Sequence, residues 1–438
     1  MDVRRRPIHR GVQLISKGSR RDVRLEGFDS RSSFDDALGW INSHSQPLNA
    51  EEVSVATAAG RVLARTFLAP ADQPSADTAE MNGYALRSAE TIGAGGYNPL
   101  PFSLQQDPRQ LNAASALLIS SGAPMPLGAD AIASFEVVRA AAATIEVIEP
   151  VTCGAGVNSK GQEAQAGAAL IDCSRPLRPT DLGLLASFGV TVVEVVRRPR
   201  VRLIIAGCKF CFESDLGDAN GPMLRALIGR DGGVVEPSAD QIQEPPAQSA
   251  TPEDSAQSVQ STLAGLMAKP GADLVLVCGL TGTGPDDVAP LALNAAGSLD
   301  VHGIALHPGG SAGLGRVGET PVILLPGSPL HCLCAYDLLA GRLIRRLGGR
   351  SSQLPYVVRQ AVAGRKIVSS IGNFELVQVR LVSGEAVPLG SAGSGGLAAA
   401  ARADGFVLVP APLEGYRAGA PVHVYIYDQA DTLEGGDL

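Results

Sequence analysis

The chain reads as a multidomain α/β and β protein. It is expected to hold a central, mostly parallel α/β domain, an inserted β domain, a helical linker region and a small C-terminal β barrel. Three observations predict this. Residues 199–349 alternate apolar strand-like runs with helical segments, the pattern of a parallel sheet with crossover helices. Three apolar runs in that stretch end in Gly/Pro turns: Thr281–Gly284 with Asp286 and Asp287, His307–Gly310, and Pro326–Pro329. On either side, residues 69–167 and 350–431 hold short β-type runs between turn residues.

In chain order, residues 1–30 are basic, polar and aperiodic and read as a disordered tail. Ser33 caps a helix that continues through Trp40. A second helix is expected between Ala50 and Leu68, with Val53, Val55, Ala59, Val62 and Leu63 as its apolar residues. Segments 31–68 and 168–198 together form the helical linker, the latter holding a helix from Thr180 that closes at Gly189. Within the α/β domain, Val201–Ile205, Val234–Glu236, Leu274–Val277 and Val322–Leu325 read as strands. A helix begins near Asn220, and a last one spans Leu330–Leu347. Residues 243–259, rich in Pro, Gln and Ser, read as a surface loop. The short strands from Pro355 to Tyr427 make the barrel.

With 438 residues, three or four domains are expected. The net charge is −8, and the basic blocks are Arg4–Arg6 and Arg20–Arg21, which argues against a nucleic-acid surface. No apolar run approaches a membrane span, and the start lacks a secretory core, so a cytoplasmic protein is expected. Seven scattered cysteines fit free thiols in a reducing compartment; Cys208 and Cys211 have CxxC spacing without a second pair.

A buried strand that ends in a glycine turn and a helix start presents backbone N–H groups to an anion. Gly279, Thr281, Gly282, Thr283 and Gly284 suit a phosphate, although glycines there also satisfy a tight turn. Asp218 and Asp287 follow strand ends and offer oxygens to a divalent ion. Asp218 reads equally as the cap of the helix at Asn220, and Asp287 as a solvated turn residue. Ser328 is placed as a cap with Pro329 in the first helical turn.

These segments resemble, in order from about residue 33 to 427, the molybdopterin molybdenumtransferases. Met81–Leu86 is similar to that family's MDGYAV, Ser121–Asp130 to TGAPxPxGAD, Gly161–Glu163 to GED and Asp218–Asn220 to DSN. Gly279–Asp287 is similar to SGGxSxGxxD, His307–Gly309 to KPGKP, Leu325–Pro329 to LPGNP, and Ala403–Pro410 to the last-domain motif.

The resemblance implies a molybdopterin-binding α/β domain that inserts molybdate into adenylylated molybdopterin and releases AMP with magnesium or zinc. It implies Asp287, Asp218 and Glu163 as catalytic groups, with Asp218 and Asp287 on the metal. Substrate would meet the 279–284 turn, Ser121, Asn82, Asn220, His307, Pro308, Gly309, Pro326, Gly327, Ser328 and Pro329. It further implies a homodimer, with Asp77, Asn82 and Glu163 facing the active cleft across it. A molybdopterin adenylyltransferase and molybdoenzymes or their chaperones would be partners, with neither nucleic acid nor membrane.

The departures fall largely on charge. Asn82 replaces an aspartate, and Cys208 and Lys209 replace an aspartate and a glutamate. Gly303, His307 and Gly310 stand where lysines are expected, and Gln378 where an arginine is. A His at 307 is a weaker cation than Lys at neutral pH. Two readings follow: a transferase that relies on backbone donors, or a relative that binds molybdopterin or nucleotide as carrier, chaperone or regulator.

Overall fold

The structure is a computed structural model and describes residues 22–107, 109–141, 143–206, 218–237, 240–242 and 252–427. The chain forms two compact units, one from residues up to 49 and from 196 onward, the other from 50 to 195.

In the first unit the central sheet has the strand order 234–235, 200–206, 274–278, 320–325, 313–317, 298–302, and 240–242 also pairs with 200–206. The first four of these and 240–242 are parallel; Gly313–Val317 and Ser298–His302 close one edge antiparallel. Leu274–Cys278 is buried along its whole length, as a strand covered by helices on both faces must be. Each such side chain contributes about 2 kcal/mol of hydrophobic stabilisation. On one face Val259, Leu263 and Met267 pack with Val275, Val277 and Leu293. On the other, Leu203, Leu276 and Leu325 meet Leu338, Leu343 and Ile344.

The same core takes in Phe406 and Leu376 of the C-terminal sheet. That sheet is a closed five-stranded barrel: Phe374–Val382, Glu385–Pro388, Val357–Ala363, Pro421–Ile426 and Gly405–Val409, which pairs back with the first. Leu306–His307 adds to it in parallel, with His307 opposite Glu375. The turn that carries His307 is therefore held between sheet and barrel. Helix Phe34–Ser43 starts in a capping box formed by Ser33 and Asp36. It buries Phe34, Ala37 and Ile41 in this core, and Phe34 stacks on Phe374 at 4.2 Å.

The second unit holds a six-stranded sheet, in the order 131–133, 83–86, 115–119, 100–105, 144–147, 138–140. Its core includes Tyr84, Leu86, Phe102 and Ile145. A smaller cluster of Val55, Leu63, Leu177, Leu185 and Val195 packs helix Pro179–Ser187 against its neighbours.

Three expectations are corrected. The helix between Ala50 and Leu68 is absent: Ala50–Ser54 is a strand paired with Val192–Val196, followed by a short 3-10 turn, Val55–Thr57. Its apolar spacing fits either period, and a distant partner decided the outcome. Residues 252–259 are not loop but the start of helix Pro252–Ala268. Residues 22–30 of the expected disordered tail have a definite place, hydrogen-bonded to the 281–285 turn; residues 1–21 lie outside the described residues. So do Cys208, Lys209 and Cys211.

Candidate functional site

The fully buried Leu274–Cys278 strand delivers the chain to Gly279, whose amide donates to Leu325 O at 2.9 Å. The loop then wraps around one carboxylate. Asp287 Oδ2 accepts the Gly284 amide at 2.6 Å, and the Asp287 amide returns to Gly284 O at 3.2 Å. A Cβ on Gly282 would lie 2.7 Å from that carboxylate, so the turn has no room for a side chain there. Helix Ala289–Ala296 follows, tied back by the Ala289 amide to Leu280 O. Among the described residues, the amides of Gly282 and Thr283 donate to no protein acceptor. Thr281 is buried; its hydroxyl lies 3.3 Å from Ser311 Oγ, and its carbonyl accepts from His302 Nε2 at 3.0 Å. Thr281 thus shapes the loop rather than lining it.

The neighbouring parallel strand, Thr320–Leu325, ends in Pro326, Gly327 and Ser328. Gly327 lies against Gly279, its Cβ position 3.3 Å from Gly279 Cα. Ser328 stands at the N-cap and Pro329 in the first turn of helix Pro329–Ala335, as expected, but the Ser328 hydroxyl makes no capping bond. Asn220 Nδ2 donates to Gly327 O at 2.8 Å. Asp218 Oδ1 accepts the amides of Asn220 and Gly221, each at 2.9 Å, and so acts as a cap for helix Asn220–Arg230.

The third turn brings His307 to the same place. Its Nε2–H donates to Ala392 O at 2.9 Å, and its ring stands edge-on to His331, 5.8 Å away. Burial holds the His331 pKa below the usual imidazole range, and His307 pushes it further down. Pro308, Gly309 and Gly310 are buried and form the turn itself. Together these elements enclose a cleft of about 370 Å³, bounded by Gly282, Thr283, His307, Ser311 and His331. That volume lies within the usual range for a small-molecule site. Sequence reasoning missed Ser311 and His331, although His331 follows Pro329 by only two positions.

Residues 22–32 form a strap along the edge of this cleft, with Gly27, Phe28 and Arg31 contributing to its lining. On the strap's other side, a second cleft of about 450 Å³ is bounded by Arg24, Phe28, Asp287, Asn294 and His302. Arg24 and Asp22 pair at 2.7 Å, and the Arg24 hydrogen bond holds the Asp22 carboxyl below its ordinary pKa.

The remaining candidates lie in the second unit. Asn82 Oδ1 accepts the Ser121 amide at 2.9 Å, and the Ser121 hydroxyl donates to Glu80 O at 2.9 Å. Asp77 accepts the Lys160 amide at 2.8 Å, and Glu163 is exposed. Asn82 and Ser121 therefore share one edge.

A divalent ion would need more than these side chains offer. Among the described residues no three His, Cys, Asp or Glu side chains gather in one place. Asp218 and Asp287 each spend an oxygen on backbone amides. The described residues do not make a metal site on their own. No helix among them is long and apolar enough to cross a membrane.

Comparison with known proteins agrees along the chain. Residues 32–189 match the MoeA N-terminal region (domain I and II), residues 203–346 a probable molybdopterin binding domain, and residues 360–427 the MoeA C-terminal region (domain IV). A molybdopterin molybdenumtransferase of Staphylococcus aureus (strain Mu50) is 23% identical over 419 residues, covering 91% of this chain and 96% of the relative. Molybdopterin molybdenumtransferase 2 of Mycobacterium tuberculosis is 27% identical over 395 residues, covering 85% and 94%. A crystal structure of the molybdopterin biosynthesis moeA protein from Pyrococcus horikoshii OT3 superposes with a TM-score of 0.72. It shares 23% identity and covers 91% of this chain and all of that one.

Proposed function

The chain belongs to the molybdopterin molybdenumtransferase family as a divergent member, and from that premise we propose that it inserts molybdate into adenylylated molybdopterin and releases AMP. The observation that carries the proposal is the cleft between the 279–284 turn, the 306–311 turn and helix Pro329–Ala335, with the Gly282 and Thr283 amides left without protein acceptors. Two adjacent free N–H groups can meet a pyrophosphate oxygen without any side-chain charge. The Asp287 carboxylate holds the loop in that shape by accepting the Gly284 amide. His307 cannot offer Nε2–H to substrate, because that proton is engaged by Ala392 O. Ser311 and His331 line the cleft and supply polar contacts beside the phosphates or the incoming oxyanion. Water adds to one phosphorus as the bridging P–O bond breaks, leaving additional negative charge on the two separated phosphates, so fixed donors favour the transition state over the bound substrate. Magnesium or zinc, held by Asp218 or Asp287, would have to take further ligands from the substrate's own oxygens.

The reading includes a cytoplasmic homodimer that receives its substrate from a molybdopterin adenylyltransferase and serves molybdoenzymes. One observation favours the alternative, a non-catalytic relative that binds molybdopterin or nucleotide. Asn82 stands where the resemblance expects a carboxylate, and its amide oxygen, already bonded to Ser121, is no base. Molybdate-dependent AMP release by the purified protein decides between the two. Release supports the transferase. Binding of adenylylated molybdopterin without release leaves the carrier, and no binding removes both.

A further inference from the structure

The loops that bound the cleft contain no lysine or arginine. Residues 279–287, 303–311 and 325–331 are without either. A substrate that carries several negative charges would there meet partial charges alone, and transferring an anion out of water demands more. Two of the positions concerned, 303 and 310, could not supply a cation. A Cβ on Gly303 would stand 2.5 Å from the Phe28 ring, and one on Gly310 would stand 2.8 Å from Leu306 O and 2.9 Å from Arg31 Nη1. The strap fills both places.

The strap is fastened at each end. The Leu25 amide donates to Thr283 O at 2.8 Å, and Arg24 Nη1 to Pro285 O at 3.2 Å. The Ser32 amide donates to Gly303 O at 2.9 Å, and the Ala305 amide to Ser32 O at 2.8 Å. Between these points the Phe28 ring stands edge-on to His302 at 5.0 Å, above the space left by Gly303. The Arg31 guanidinium lies 5.4 Å from the centre of that ring, next to Gly310 and at the cleft wall. It forms no ion pair among the described residues, and its exposed fork of donors matches a phosphate or molybdate edge.

We propose that the strap of residues 22–32 is a working part of the site, and that Arg31 is the cation that meets the oxyanion of the bound substrate. This deepens the proposed function and rests on it. The match to the MoeA N-terminal region begins at residue 32, so the cation comes from a segment ahead of that match. Phe28 positions the guanidinium and Arg31 contacts the ligand.

The test is anaerobic equilibrium titration of the full-length protein with adenylylated molybdopterin, at low and at raised salt. Arg31→Ala is expected to weaken binding about tenfold, the loss of one charge-assisted hydrogen bond, and to flatten the salt dependence. Arg31→Lys is expected to recover part of the loss. Phe28→Ala, which keeps the guanidinium but frees the strap, is expected to weaken binding as well, with the protein still folded by circular dichroism. Unchanged affinity in Arg31→Ala overturns the inference and leaves the proposed function standing. Tighter binding in that variant also overturns it and marks the strap as a plug. No affinity in the unmodified protein removes the proposed function first and the inference with it.

Discussion

The first unit handles charge in two opposite ways. Asp231, Asp337, Arg345 and Tyr336 are buried, and the half-buried Arg230 and Tyr356 pack against them. Asp231 accepts from Arg345 at 2.8 Å, Arg230 at 2.9 Å and Tyr336 at 3.1 Å. Asp337 accepts from Arg230 at 2.7 Å and Tyr356 at 2.8 Å. In the cleft, by contrast, Arg31 has no ion-pair partner among the described residues, and the Gly282 and Thr283 amides have no protein acceptor. The difference separates two uses of polarity. A buried charge must be satisfied within the fold, because desolvation left unmatched costs several kcal/mol. A group kept for a ligand must remain unsatisfied until the ligand arrives, and it can do so because water reaches it.

The largest break in this comparison is expected from Asp231→Ala. It strands the buried Arg345 guanidinium, while Arg230 keeps Asp337, and should cost about 3–5 kcal/mol. A thermal melt would show a clear drop, while an unchanged midpoint would mean that the cluster is not held as described. Asp287→Ala acts at the other pole. It removes the acceptor that shapes the glycine loop, and molybdate-dependent AMP release should fall about a hundredfold as the donors lose their aim. Its melting midpoint should shift far less than that of Asp231→Ala. Unchanged release would detach the loop from the chemistry.

The third prediction concerns pH. The His331 pKa is held below its ordinary 6.5 by burial and by His307. His331 is therefore neutral at neutral pH and gains its proton only as pH falls through that depressed value. An anion in the cleft favours the protonated form, so affinity should rise by about fivefold on acidification below 6.5, the size of one water-screened charge pair. His331→Gln should flatten that profile; if the variant keeps it, another group is titrating. In the free protein the sign is opposite. The unfolded chain takes up the proton first, so stability declines as pH falls below 6.5.

The smallest effect is expected in the second unit, at an intermediate case. Asp181 is buried, with its pKa held below 3.8 by the Arg175 hydrogen bond. A lowered carboxylate pKa contributes stability that is present above 3.8 and lost as pH falls through the folded value. Asp181→Asn should therefore make the melting midpoint of this unit less sensitive to acid in that window. Equal sensitivity in both proteins would show that the pair adds nothing.

Much of the candidate site was legible. The run Leu274–Cys278 followed by Gly279–Gly284 names a buried strand and its turn, because a continuous apolar stretch needs cover on both faces and glycine is needed where Asp287 crowds the loop. Asp218 is the helix cap that its spacing from Asn220 suggested. Helix Pro252–Ala268 was missed because its composition resembles a loop. Val259, Leu263 and Met267, four apart and all buried, were the signal that could have found it. The strand Ala50–Ser54 and the strap had no comparable local sign. The strand depends on Val192–Val196, and the strap on Thr283 and Gly303, far along the chain.

Residue order by itself determined the four main parallel strands of residues 199–349 with their glycine turns, the barrel after them, and the scarcity of cations on the cleft loops. Those properties follow from local periodicity and residue chemistry. Only tertiary structure decided that three turns converge, that Asp287 closes one of them, and that Phe28 and Arg31 occupy the space beside two glycines. Such juxtapositions depend on the shape of a cavity formed by distant segments, and no local pattern in a chain encodes that shape.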